Sequence, residues 1–120
     1  MPRTAMNLIA PALRHCIDAC VRCHEVCLST LPYCLGQGGH HTSLAHITIL
    51  YDCATICQMT ADFMLRASDE HARICALCAV LCERCAEDCE RFSDDDVMRA
   101  CAEECRKCAE SCERMATAAV

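Results

Sequence analysis

The chain has no tryptophan, and only two tyrosines and two phenylalanines in 120 residues. Its nominal hydrophobic content of 54% includes 16 cysteines, so the aliphatic core is thinner than that figure suggests. Glycine and proline number three each, which argues against a loop-rich scaffold and for long helices. Positive charge is also scarce. A formal charge of -6 disfavours nucleic acid or an anionic membrane as a partner. The N-terminal stretch MPRTAMNLIAPALRHC places one arginine before a short apolar patch broken by Pro11. It holds no twin-arginine motif and no convincing signal peptide, and nowhere is there an apolar run long enough to span a membrane. The expected location is the cytoplasm, where reducing conditions favour metal binding over disulfides in a cysteine-rich chain. An enzyme is not expected: no cofactor loop, no conventional acid/base pair and no nucleophile set apart from the other thiols is visible.

What the chain does have is a rhythm. In HARICALCAVLCERCAEDC, from His71 to Cys89, the cysteines fall at Cys75, Cys78, Cys82, Cys85 and Cys89, in steps of three and four. That is the spacing of a helical core stripe, filled here with thiols instead of Leu, Ile or Val. The same rhythm recurs at Cys16, Cys20, Cys23 and Cys27, and at Cys101, Cys105, Cys108 and Cys112.

Punctuation divides the chain into four helices. The first runs from about Asn7 or Pro11 to about Leu31, stopped by Pro32 and the segment GQGGHHTS. Thr42 or Ser43 caps the second, which continues to about Ala67. Ser68 with Asp69 and Glu70 starts the third, and Ser93 with Asp94, Asp95 and Asp96 starts the fourth, which ends near Ala118. The last two connections are short, so neighbours are antiparallel. The expected fold is all-α: one up-down-up-down four-helix bundle spanning residues 1–120, with a cysteine-lined core.

The second helix breaks the thiol rule, with only Cys53 and Cys57 on a stripe extended by His46, Leu50 and Met64. Beside it runs an apolar stripe of Ile49, Ile56, Met59 and Phe63, which is either extra packing within the bundle or a face buried between subunits.

Antiparallel alignment sorts the stripes into layers about 5 Å apart. Met64, His71 and Met115 gather at one end. Cys16, Cys75 and Cys112 come next, followed by Cys20, Cys57, Cys78 and Cys108. A layer of Cys23, Cys53, Cys82 and Cys105 precedes Cys27, Cys85 and Cys101 beside Leu50. His46, Cys89 and Met98 close the far end, with Cys34, His40 and His41 in or near the loop.

Sixteen thiols in register are too many to serve only as small hydrophobes. Disulfides do not explain the spacing either. Cβ atoms one helical turn apart are about 5–6 Å apart, whereas a disulfide needs about 3.8 Å. A metal fits: sulfurs about 4.5 Å apart can share an ion at about 2.3 Å from each. The pairs with CxxxC spacing are Cys16/Cys20, Cys23/Cys27, Cys53/Cys57, Cys78/Cys82, Cys85/Cys89, Cys101/Cys105 and Cys108/Cys112. Thiolates accept Cu(I), Zn(II) or iron–sulfur clusters. Charge chooses among them, because several Zn(Cys)4 centres in one core would leave roughly eight buried negative charges. One Cu(I) per thiolate is neutral. The ferredoxin spacing is absent. Met64, Met98 and Met115 are core packing or thioether ligands. His71 is either a ligand or a helix-start residue, and His46, seven before Cys53, is likewise either a ligand or a stripe residue without that role. His40 and His41 lie in a Gly-rich loop, read as solvated ahead of the alternative that they receive a metal, and His15 and His24 belong to the surface.

Repeated CxxxC stripes on a short four-helix chain resemble the bacterial copper storage proteins, and the lack of an export signal resembles their cytosolic branch. The resemblance covers about Cys16 to Met115. It implies a homotetramer of bundles, each holding many Cu(I) ions on the CxxxC cysteines, with Cys75 completing the third stripe and His or Met near a bundle mouth. Two other readings stand beside copper storage. One is zinc or general metal detoxification. The other is a thiol redox protein, which requires a low-pKa thiol with a resolving partner.

Overall fold

Each helix begins and ends for a local chemical reason. In the computed structural model, which describes residues 2–118, Thr4 and Asn7 bond reciprocally around a short 3-10 turn, Ala5–Leu8. Pro11 then occupies the first turn of α1 (Pro11–Gln37), where its missing N–H costs nothing. Ser43 Oγ accepts the His46 N–H at 3.3 Å and caps α2 (Leu44–Leu65). Helix α3 is His71–Glu90 and α4 is Asp96–Ala118. Asp95 caps α4, its Oδ1 accepting the Val97 and Met98 N–H groups at 2.9 and 3.2 Å.

Four expected boundaries move. Pro32 does not stop α1, which continues to Gln37. The carbonyl that loses its partner there is Leu28's, and Leu28 and Pro32 both lie on the exposed side, where water can replace the lost bond. The stop is Gly38 at φ 75°, followed by Gly39 at φ 57°, in the left-handed region that glycine adopts without strain. The extension carries Cys34 out of the expected loop and onto α1, seven residues and two turns beyond Cys27. Helix α2 ends two residues before Ala67. Helix α3 starts at His71 instead of Ser68, whose hydroxyl accepts the Glu70 N–H in the connecting turn. Ser93 lies outside α4, its carbonyl accepting from Arg99 at 2.6 Å.

Ala67 sits at φ 54°, the one non-glycine residue with positive φ among those described. Its neighbour's N–H reaches back to the Phe63 carbonyl at 3.0 Å, the bond that closes a helix C-terminus through a left-handed residue. Because a Cβ is strained there, Ala67→Gly is expected to stabilise the apo-protein by about 1 kcal/mol, read from the denaturant midpoint. An unchanged or lower midpoint would show that the turn carries no such strain.

Helix α1 packs on α2 and α4, and α3 packs on α2 and α4, so the bundle runs up-down-up-down with α1 diagonal to α3. All 16 cysteines are fully buried. The remaining core is sparse in bulk: Ile17, Leu50, Ile56, Met64 and Met98. Paired alanines seven residues apart flank the thiol stripes, Ala54/Ala61, Ala79/Ala86 and Ala102/Ala109. These small residues let the helices approach closely enough for sulfurs on different helices to touch. Among the described residues no helix is long and apolar enough to cross a membrane.

Candidate metal centre

The helical spacing aligns the thiols along each helix, and the packing then joins the stripes. Within CxxxC pairs, Sγ atoms lie 3.8 Å apart at Cys23/Cys27 and Cys78/Cys82 and 3.9 Å apart at Cys108/Cys112. Contacts between helices are as short: Cys20–Cys112, Cys27–Cys105 and Cys57–Cys82 are each 3.5 Å. All 16 thiols are free.

The contacts form shared clusters. Cys16, Cys75 and Cys112 form a triad near one end. Cys20, Cys78, Cys108 and Cys112 follow, then Cys57, Cys78, Cys82 and Cys108. Cys23, Cys53, Cys57 and Cys82 come next, then Cys23, Cys27, Cys53 and Cys105. Cys27 touches Cys101 at 3.8 Å, and Cys101 leads on to Cys85 and Cys89. Flat layers are therefore replaced by interlocking ones, in which Cys57 belongs to two groups of four and Cys112 to a group of four and a triad. A metal–sulfur bond of about 2.3 Å gives sulfur separations near 4.0 Å in trigonal and 3.8 Å in tetrahedral coordination. The ladder already holds its donors at about those distances.

Two thiols near the ends of the ladder are shifted upward. Desolvation, with the charges of neighbouring groups, pushes the Cys34 thiol up to about 11. At Cys75, contact with Cys112 favours the thiolate, but Cys16 and burial outweigh it and raise the thiol to about 12. Both are therefore protonated at neutral pH and must release protons to take a metal.

The two ends differ. At the α2–α3 end the Met64 sulfur lies 3.9 Å from Cys75 Sγ, and a cavity of about 350 Å³ opens beside Met64, Leu13 and His71. His71 is half-buried and its Nδ1 donates to the Ser68 carbonyl at 3.0 Å. Met115 packs half-buried against the core. Neither His71 nor Met115 has a thiol within hydrogen-bond reach among the described residues.

At the other end Cys34, His46 and Met98 meet, all fully buried. Cys34 Sγ is 3.3 Å from His46 Nε2 and 3.7 Å from the Met98 sulfur. His46 Nδ1 donates to Asp88, which leaves the Nε2 lone pair facing Cys34. Asp88 also accepts from Arg91 at 2.6 Å.

Other histidines depart from expectation. His24 is not a free surface residue: its Nδ1 donates to the Ala54 carbonyl at 2.7 Å and ties α1 to α2. His41, assigned to a solvated loop, is half-buried and its Nε2 donates to Asp95 Oδ2 at 3.0 Å. His15 and His40 are exposed. The sequence reading missed Asp88, Asp95, Tyr33 and Phe92 around this end. Asp88 lies 42 residues from His46, and no local pattern signals that pairing.

A family model described as copper storage protein matches residues 10–117. A search of curated proteins finds no match. Among solved structures, a Nitrosospira multiformis protein superposes with a TM-score of 0.85 at 40% identity, covering 89% of this chain and 96% of that one. The Cu(I)-bound copper storage protein BsCsp3 gives a TM-score of 0.83 at 36% identity, covering 88% and 99% of the two chains. Apo copper storage protein 3 from Bacillus subtilis gives a TM-score of 0.78 at 39% identity, covering 85% and 96%.

Proposed function

The chain belongs to the copper storage protein family, and from that premise we propose that it is a cytosolic store and buffer that fills its core with Cu(I). The observation that carries this reading is the continuous run of buried, mutually touching thiols. Cu(I) enters as cargo, one positive charge for each proton displaced, so the filled core is neutral. Tetrahedral zinc matches the sulfur distances equally well, but its net charge does not suit a dry interior. The proposed ligands are the 15 cysteines of the ladder, with Cys34, His46 and Met98 at one end and Met64 at the other. His71 and Met115 are proposed as packing residues at their end.

A cytosolic site is supported by the thiols themselves, since 16 free thiols persist where reductants keep them so. A store in place of a catalyst is supported by their complete burial. Homotetramer formation is supported by the outer face of α2, where Tyr51 and Met59 are exposed beside half-buried Ile49 and Phe63, while Ile56 turns inward.

The test is an anaerobic competition. Zn(II)-loaded protein is titrated with Cu(I) against a chelator, with metal content and released protons followed together. Cu(I) is expected to displace Zn(II) completely, and direct loading of the apo-protein is expected to release close to one proton per copper. Retention of zinc against stoichiometric Cu(I) would transfer the reading to zinc detoxification.

A further inference from the structure

The three donors at the Cys34 end are fully buried, so something must move before an ion reaches them. What lies over them is a specific assembly. His41, in the 3-10 turn Gly39–Thr42 between α1 and α2, packs on Phe92 with ring centroids 4.2 Å apart and the rings tilted by 42°. Phe92, in the α3–α4 connection, lies in turn 4.9 Å from the His46 ring. Asp95 Oδ2 accepts from both His41 Nε2, at 3.0 Å, and the Tyr33 hydroxyl, at 2.7 Å. Asp95 Oδ1 meanwhile caps α4. One carboxylate therefore fastens the α1–α2 turn to the rigid start of α4, directly above the buried donors.

The turn is built to swing. Gly38 precedes it and Gly39 opens it, both at positive φ with open space around them, and Ser43 follows in extended backbone. Among the described residues, the Thr42 hydroxyl bonds only to Gly39 and the Ser43 N–H only to His40. Its attachment to the α3–α4 side is the His41 ring.

We propose that His41, Asp95, Tyr33 and Phe92 form a latch that must open for Cu(I) to reach or leave Cys34, His46 and Met98, so that the latch sets the rate of copper exchange and not the capacity. This rests on the storage reading. It assigns His41 a role opposite to that of a way-station ligand: removing a latch speeds exchange, whereas removing a ligand on the route slows it.

Asp95→Asn separates the two functions of that side chain. Asn Oδ1 can still cap α4, while an amide replaces the oxygen that held His41 and Tyr33. His41→Ala removes the packed ring as well. The apo-protein is mixed anaerobically with Cu(I) bicinchoninate at rising concentration and loading is followed by stopped flow. In the wild type the rate is expected to level off at the latch-opening rate. In His41→Ala the plateau rises at least about fivefold or disappears, and Asp95→Asn lies between, with final copper content unchanged. Slower loading in His41→Ala, or rates equal to wild type in both variants, would overturn the latch; equal rates would direct attention to the cavity beside Met64. A chain that takes up no Cu(I) at any thiol would overturn the storage reading and leave the latch nothing to gate.

Discussion

Saturating the apo-protein with Cu(I) in the absence of oxygen is expected to add close to one copper per thiol, about 16 per chain, seen as resolved mass steps by native mass spectrometry. The ladder's connectivity makes this more than a count. Cys53 and Cys57 together take part in three of the five sulfur clusters. If thiolates bridge ions between clusters, Cys53→Ala/Cys57→Ala loses more than the two ions that two independent thiols would account for. The variant's helix content, checked by circular dichroism, is expected to persist, because alanine keeps the helix and the other three stripes remain. A wild type that saturates at about four metals, the number set by tetrahedral zinc, would sink the copper-store reading. A double variant that loses two ions or fewer would show that the clusters do not share their metals.

Copper loading is also expected to raise the melting temperature by at least about 20 °C and to reverse the direction in which pH acts on stability. The apo-bundle is expected to fold without metal, because α2 and α4 carry side-chain caps and the core is closed, and to melt early because sulfur and alanine supply little apolar bulk. Its thiols at Cys34 and Cys75 are held at about 11 and 12 in the folded state, above an ordinary thiol near 8.5. The folded state therefore binds those protons more tightly than the unfolded chain does. Their contribution is fully present below about pH 8.5 and is lost as pH rises through 11 and 12. In the loaded protein copper has replaced those protons, so acid competes with copper and stability falls as pH falls. Differential scanning calorimetry at pH 6, 7.5 and 9.5 is expected to show the apo-protein level from pH 6 to 7.5 and lower at 9.5, and the loaded protein lowest at pH 6. An apo-protein with a random-coil spectrum, or two forms that respond to pH in the same direction, would contradict this account.

Much of the protein was legible in its sequence, because helix periodicity is local. Steps of three and four place Cys75, Cys78, Cys82, Cys85 and Cys89 on one face whatever surrounds them. Three such stripes with short connections leave few arrangements besides a bundle lined with sulfur. The triad of Cys16, Cys75 and Cys112 follows from rise per residue and antiparallel alignment alone. Proline was misleading at Pro32, because its cost depends on whether the orphaned carbonyl faces water, and that depends on which side of α1 is buried.

The sequence by itself thus determined the helices, the thiol stripes and the preference for a soft cation whose charge cancels each thiolate. Tertiary structure alone decided how the stripes interlock into shared clusters, since separations of 3.5–4.0 Å between sulfurs on different helices depend on how the helices pack. It also decided that Cys34 meets His46 and Met98, that Asp88 holds the imidazole, and that His41 closes over them through Asp95 and Phe92. The physical reason is range. Backbone periodicity is fixed within a few residues, whereas these contacts join residues 12 to 96 positions apart, brought together only when the four helices bury their common face.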